Sequence, residues 1–285
     1  MARLNLGSGI GTLVCGLFAV ALVGSEAIED DGVLRFKARS RQANETAGGK
    51  TQVEETETAW KASETAVIIC DMWDEHWCQG ATRRVGEMVP RMNQTVKRLR
   101  EQGAFVIHAP SGVLGFYSKS SQRRRAVEAA NATPPVKIEG WCHLDKGKEG
   151  ALPIDDSDGG CDCEPRCAQG NPWTRQHAGL EIYPADAITD SGQEAYNMMT
   201  ERGLKNVVMM GVHTNMCVLG RSFGIRQMTR LGKHVALVRD LTDTMYNSRM
   251  RPFVPHERGT DLVVEHVETH WCPSVTSDDL LGEGE

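Results

Sequence analysis

The sequence has no excess of positive charge. Its 285 residues include 32 Lys and Arg against 38 Asp and Glu, a formal net charge of −6. A protein that tracks a phosphate backbone concentrates positive charge on one face. The run Arg123-Arg124-Arg125 is too short for that and reads as a solvated helix face. No nucleic-acid partner is expected. An apolar run of membrane-spanning length is also missing. Residues Ile10 to Val23 carry no charge, but a span needs ~20 apolar residues. With Arg3 before this stretch, and Gly24, Ser25 and Ala27 after it, residues 1–27 read as a secretory signal peptide. A retained anchor is the alternative. Cys15 follows Val14 rather than a small residue, which argues against lipid attachment. The expectation is export to a periplasmic or extracellular space, with no stable membrane span after processing.

In that space the eight remaining cysteines meet oxidising conditions, where disulfides are permitted. If one of them serves as a free thiol, seven remain, an odd number.

Residues 28–62 are polar and rich in Glu and Thr. Val33-Leu34-Arg35-Phe36 and Thr51-Gln52-Val53 suggest a hairpin about Gly48-Gly49, an N-terminal extension laid on the core. A domain spanning 63–285 follows. Ala66-Val67-Ile68-Ile69-Cys70 is a continuous apolar run, as in strands buried on both faces of a parallel sheet. Pro90 is read as opening a helix that Gly103 closes. Strands follow at 104–107, 180–188, 207–212 and 235–238. Helices alternate with them at 120–130, from Ser191 to Arg202, at 215–231, and along Val263, Val267 and Trp271. Residues 131–178 break the rhythm with Pro134-Pro135, Gly159-Gly160 and four cysteines, an irregular insertion. The alternation predicts an α/β class: a three-layer, Rossmann-like fold whose mainly parallel sheet carries helices on both faces.

Ligands of open α/β sheets bind beyond the carboxyl ends of the strands. Asp71 ends the first core strand, and Cys217 lies just past the strand ending at Val212. On the first turn of a helix, Cys217 would sit among unpaired N–H groups that favour a thiolate. A nearby carboxylate can take the thiol proton and return it to a leaving amine. The plain alternatives are a buried cysteine acting as a small hydrophobe and an aspartate capping a loop. Trp73, His76 and Trp77 either wall a pocket or pack a loop. Asp240, Asp243 and Tyr246, beyond the next strand, either contact substrate or cap loops.

The stretch Gly211-Val212-His213-Thr214-Asn215-Met216-Cys217-Val218 resembles the nucleophile motif of isochorismatase-like cysteine hydrolases. Val67-Ile68-Ile69-Cys70-Asp71-Met72 resembles that family's strand ending in the catalytic aspartate. The resemblance covers about residues 63–272 and is weakest across the insertion. It implies a hydrolase of small amide or carbamoyl C–N bonds, with Cys217 as nucleophile and Asp71 as acid/base. It further implies a cis peptide before His213, an oxyanion hole from the N–H groups of His213 and Cys217, a substrate pocket including Trp73, His76, Trp77 and Thr214, and a homo-oligomer.

Two departures stand out. The family's triad has a lysine near the end of its third strand, whereas residues 181–190 here contain none; Asp190 or Glu181 holds the slot. A carboxylate cannot supply the missing positive charge, so a cation must come from elsewhere, for instance Arg175, or the chain binds a ligand without turnover. Second, nicotinamidases of the family carry an Asp and His metal cluster, but His108-Ala109-Pro110-Ser111 lacks that spacing. No metal and no cofactor are assigned to the site. Cys161, Cys163 and Cys167, with Cys142 and His143 upstream, read as disulfide cysteines in an exported chain, with zinc and a thiol- or metal-binding protein as the alternative.

Overall fold

The computed structural model describes residues 1–2, 32–43 and 51–283. The signal-peptide reading, apart from its first two residues, and the turn at Gly48-Gly49 lie outside them. The chain divides into two units, residues 1–30 and 31–285, and the fold belongs to the second.

Strands β1 (Val33–Ala43) and β2 (Thr51–Lys61) pair antiparallel, from Val33 opposite Lys61 to Ala43 opposite Thr51. Along β1, Leu34, Phe36 and Ala38 turn inward while Arg35 and Lys37 face out, the two-residue period of a half-buried strand. The exposed partner β2 is studded with Glu54, Glu55 and Glu57, charges that blunt an open sheet edge. The hairpin is as expected but longer, and its placement differs. It is not laid over the core: β1 joins the main sheet through Arg39 opposite Ser274.

The core follows: β3 (Thr65–Cys70), α1 (Gln79–Glu101), β4 (Phe105–Ala109), α2 (Ser121–Glu128), β5 (Ala187–Ile188), α3 (Gly192–Glu201), β6 (Asn206–Val212), α4 (Ile225–Arg230), β7 (His234–Asp243), α5 (His256–His270), β8 (Ser274–Val275) and α6 (Ser277–Leu281). The sheet runs β2-β1-β8-β7-β6-β3-β4-β5, and every pairing from β8 to β5 is parallel. β3 and β6 are buried along their whole length, because helices cover both faces. Val67 and Ile69 pack on one side with Val85, Met92 and Leu99 of α1 and Leu280 of α6. Ala66 and Ile68 pack on the other with Met198 of α3, Met228 of α4 and Val263 of α5. Met92 and Leu99 are fully buried, worth roughly 2 kcal/mol each. The fold is the expected three-layer α/β arrangement.

Several boundaries differ. Pro90 lies inside α1, which begins eleven residues earlier. The strand expected over 180–188 shrinks to Ala187–Ile188. Arg123 and Arg125 are not merely solvated. Arg123 holds Glu194 at 2.9 Å through Nη2, and Arg125 donates to the Asp186 carbonyl. Residues 131–178 contain no helix or strand, as expected. They are tied to the core by isolated bridges between Trp73 and Gln176 and between Trp141 and Arg221. Among the described residues, no helix is long and apolar enough to cross a membrane.

Candidate active site

β3 and β6 are parallel neighbours, with Cys70 opposite Gly211, so their carboxyl ends emerge side by side. Gly211 sits at φ 107°, and a Cβ there would meet the Cys70 carbonyl oxygen at 2.1 Å. Only glycine allows this approach. Asp71 follows β3 with φ 47°, a left-handed conformation that aspartate tolerates better than most residues. Its N–H donates to the Ala109 carbonyl at 3.1 Å. Its carboxylate is fully buried and accepts from the Ser111 N–H at 2.7 Å and from Arg221 Nε at 3.1 Å. Burial raises the Asp71 pKa, and the Arg221 charge pulls it back only in part.

Cys217 lies in a single π-helical turn, Thr214–Val218, and is 8% exposed. Its thiol interacts with both the Asp71 carboxylate and the Arg221 guanidinium. Burial pushes the thiol well above its ordinary range; the Asp71 charge adds to this, and Arg221 opposes it. The expected thiolate at a helix N-terminus is therefore corrected. The helix expected over 215–231 is broken, and α4 begins only at Ile225. The break has a local cause. The Gly220 carbonyl accepts from the Cys142 N–H at 2.6 Å, and a Cβ on Gly220 would meet the Trp141 ring at 2.7 Å. The insertion thus takes this segment away from helical pairing. With no α-helix N-terminus at the sulfur, desolvation wins.

Arg221 is the cation that the strand-end slot lacks. Its guanidinium carries a raised pKa, because Asp71 and Cys217 outweigh its own desolvation, and it lies over the Trp141 ring at 5.5 Å. The residues considered for this role do other things. Arg175 lies over Phe116 at 4.5 Å and donates to the Gln176 carbonyl. Asp190 accepts from the Gly112 N–H at 2.9 Å. Glu181 is exposed and accepts from Tyr183 Oη. Four residues separate Cys217 from Arg221, about one helical turn, and the Arg221 N–H donates to the Cys217 carbonyl at 3.0 Å.

The Val212–His213 peptide is cis. Trp73 is buried, stacks on Trp173 at 4.5 Å and donates from Nε1 to the Ser111 carbonyl at 3.0 Å. His76 bridges this stack to Trp77 and meets His213 edge-on at 4.9 Å. Burial lowers His76 to about 4 and His213 to about 3, so both are neutral near pH 7. His76 and Trp77 line a cavity of about 470 Å³ with Gln169, Asn171, Met216 and Met245, a volume in the small-molecule range. Met216, the neighbour of Cys217, brings the cavity to the edge of the site. Thr214, expected in the pocket, lies on the β7 side of the Cys217 turn. It is fully buried, and its hydroxyl bonds Thr242 Oγ1 at 2.7 Å and the Asp243 carbonyl at 2.9 Å. A bulge between the Met209–Leu237 and Gly211–Thr242 pairs aims β7 into this contact. Asp240 caps α6 through the Ser277 N–H at 2.8 Å, and buried Tyr246 donates to the Met250 carbonyl at 2.9 Å. Asp243 holds Arg84 Nε and His256 Nε2, each at 2.8 Å.

All eight described cysteines are free thiols, so the expected disulfides are not formed. Cys142 donates to Gln227 Oε1 at 3.3 Å, apart from the other cysteines of the insertion. Cys161 and Cys163 instead meet Cys78.

No protein-family model matches the chain, and no curated protein sequence matches it. Among solved structures, the chain is similar to a cysteine hydrolase from Pseudomonas syringae pv. phaseolicola at 14% identity and TM-score 0.48, over 79% of this chain and 93% of that one. It is similar to an isochorismatase family protein from Burkholderia thailandensis at 13% identity and TM-score 0.44, over 78% and 95%. A pyrazinamidase of Pyrococcus horikoshii in complex with zinc is similar at 16% identity and TM-score 0.43, over 75% and 99%.

Proposed function

We propose that the chain is a cysteine-dependent hydrolase of a small amide or carbamoyl C–N bond. The observation that carries the reading is the convergence of Asp71, Cys217 and Arg221 at the carboxyl ends of β3 and β6. A carboxylate pKa raised by burial makes Asp71 a stronger base toward the thiol proton. The thiol proton passes to Asp71 as sulfur attacks the carbonyl carbon, and Asp71 returns it to the leaving nitrogen as the C–N bond breaks. A thioester remains on Cys217. Water then attacks it, giving a proton to Asp71 and releasing the acid, and Asp71 reprotonates the sulfur. Arg221 offsets the negative charge shared by carboxylate and sulfur throughout. The N–H groups of His213 and Cys217 are the proposed donors to the tetrahedral oxyanion. The cavity beside His76 and Trp77 is the proposed entry for substrate.

A ligand-binding role without turnover draws its support from the lysine-free stretch 181–190. Arg221 against Asp71 weakens that support, because a cation is present from another element. Export and self-association belong to the proposal and rest on the N-terminal sequence and on the resemblance.

The test is a screen of small amides and N-carbamoyl compounds by ammonia release, with intact-mass detection of acyl adducts. Turnover with an adduct on Cys217, lost in Cys217→Ala, supports the reading. Turnover that survives in Cys217→Ala sinks it.

A further inference from the structure

We propose that Cys78, Cys161, Cys163 and Cys167 form a structural zinc site that fastens the insertion to the start of α1. Nothing in this inference depends on the hydrolase reading.

The sulfurs of Cys78, Cys161 and Cys163 all lie within 4.8 Å of one another. Cys78 Sγ and Cys163 Sγ are 3.8 Å apart. That is too long for a disulfide, whose S–S bond is ~2.05 Å. It is the edge of a tetrahedron built on Zn–S bonds of ~2.3 Å, whose sulfurs stand ~3.8 Å apart. Cys167 supplies the fourth thiol: its sulfur takes the Gln79 N–H of the same helix start whose next N–H, that of Gly80, goes to Cys163.

The surroundings are arranged for thiolates. Cys78 immediately precedes α1, whose first N–H groups have no partner within the helix. Two of them point at the cluster: Gly80 N–H donates to Cys163 Sγ at 3.2 Å and Gln79 N–H to Cys167 Sγ at 3.5 Å. Such N–H···S bonds support metal-bound thiolates. Arg84 brings positive charge alongside, donating through Nη1 to Asp162, between two of the cysteines, at 2.8 Å. Packing leaves no slack. A Cβ on Gly80 would meet Asp162 Oδ1 at 2.7 Å, and one on Gly160 would meet the Met245 carbonyl at 2.3 Å. Binding one Zn²⁺ releases the four thiol protons to solvent. The metal then holds the loop carrying Gly159, Gln169 and Asn171, one wall of the cavity.

The experiment is elemental analysis of the untagged full chain, purified without chelators, with thiol counting before and after a zinc chelator. The expected result is about one zinc per chain, with four thiols shielded until the chelator is added. Cobalt-substituted protein should show the thiolate-to-metal charge transfer and visible bands of a tetrahedral site. Cys163→Ser and Cys167→Ser should each lower bound zinc several-fold, and Cys142→Ser should leave it unchanged. Metal-free wild-type protein, or a disulfide among these four residues by peptide mass, overturns the proposal. So does full zinc in a Cys163→Ser/Cys167→Ser double variant.

Discussion

Arg221 Nε stands 3.1 Å from Asp71 Oδ2, pairing a fully buried carboxylate with a guanidinium whose side chain is 30% exposed. Removing one partner of such a pair leaves the other without compensation. In Arg221→Ala, Asp71 is expected to take up a proton and stop acting as a base. Turnover should fall by ~10²-fold or more, the scale of a lost acid/base contribution. The protein should lose about 2 kcal/mol, less than for a fully buried pair because Arg221 is partly solvated. Arg221→Lys restores charge without the planar fork that lies over Trp141 and should recover part of the activity. Urea midpoints and steady-state rates on both variants check this; equal activity in Arg221→Ala and wild type would remove Arg221 from the mechanism.

The thiol of Cys217 should not behave as a resident thiolate. Burial raises its pKa and the Asp71 charge raises it further. Iodoacetamide should therefore label Cys217 slowly at neutral pH, the rate rising well above the ordinary thiol range of ~8.5. Asp71→Asn removes the repelling charge, so the thiol pKa falls and labelling speeds up at a given pH. Turnover in the same variant should be lost, since the proton acceptor is gone. The two readouts move in opposite directions. If Asp71→Asn slowed labelling, the carboxylate would be helping to form a thiolate before substrate arrives.

The sheet was legible because β3 and β6 are apolar on both faces and long enough to stand out. The elements that were not legible are short or small-residue. β8 is only Ser274–Val275, and the first turns of α1 bury Gly80, Ala81 and Val85, which give a weak helical period. Pro90 therefore read as a helix start although it sits in the interior. At the site, Asp71 and Cys217 were legible from strand ends and motif. Arg221 was not, because its position depends on Trp141 and Cys142 arriving from the insertion and breaking the helix at Gly220. Cys78 was missed as a partner of Cys161 and Cys163 for a similar reason. The contact joins distant segments, and no local spacing encodes it.

Glu149 anchors the insertion from below. Its carboxylate holds Arg226 at 2.7 and 3.0 Å, His266 Nε2 at 2.8 Å and Trp271 Nε1 at 2.9 Å. Despite burial, these donors lower its pKa to about 2. A depressed carboxylate contributes stability that is full above the unfolded pKa and lost as pH falls through the folded one. Between about pH 4.5 and 2, the unfolding free energy should thus decline in part through Glu149. Glu149→Gln should cost about 3 kcal/mol at pH 7, because Arg226 is left buried without its counter-charge. Its stability should also fall less steeply with acid. Urea titrations at stepped pH test this, and parallel acid profiles for the two proteins would refute it.

Trp141 is expected to set the position of Arg221. The indole lies over the guanidinium at 5.5 Å and packs against Gly220, whose added Cβ would come within 2.7 Å of the ring. Two substitutions disturb this from opposite sides. Trp141→Ala removes the platform, at a cost of ~1 kcal/mol for the lost cation–π contact plus some packing. Gly220→Ala keeps the indole but displaces it from the backbone. If Trp141 acts by placing Arg221, both variants should lower kcat more than they raise KM. Both should also make the Cys217 thiol harder to ionise, since Arg221 is the group opposing burial there. Bound metal at the cysteine cluster should be unchanged in both. Normal kcat in Trp141→Ala, with only a lower melting temperature, would assign the tryptophan to packing alone.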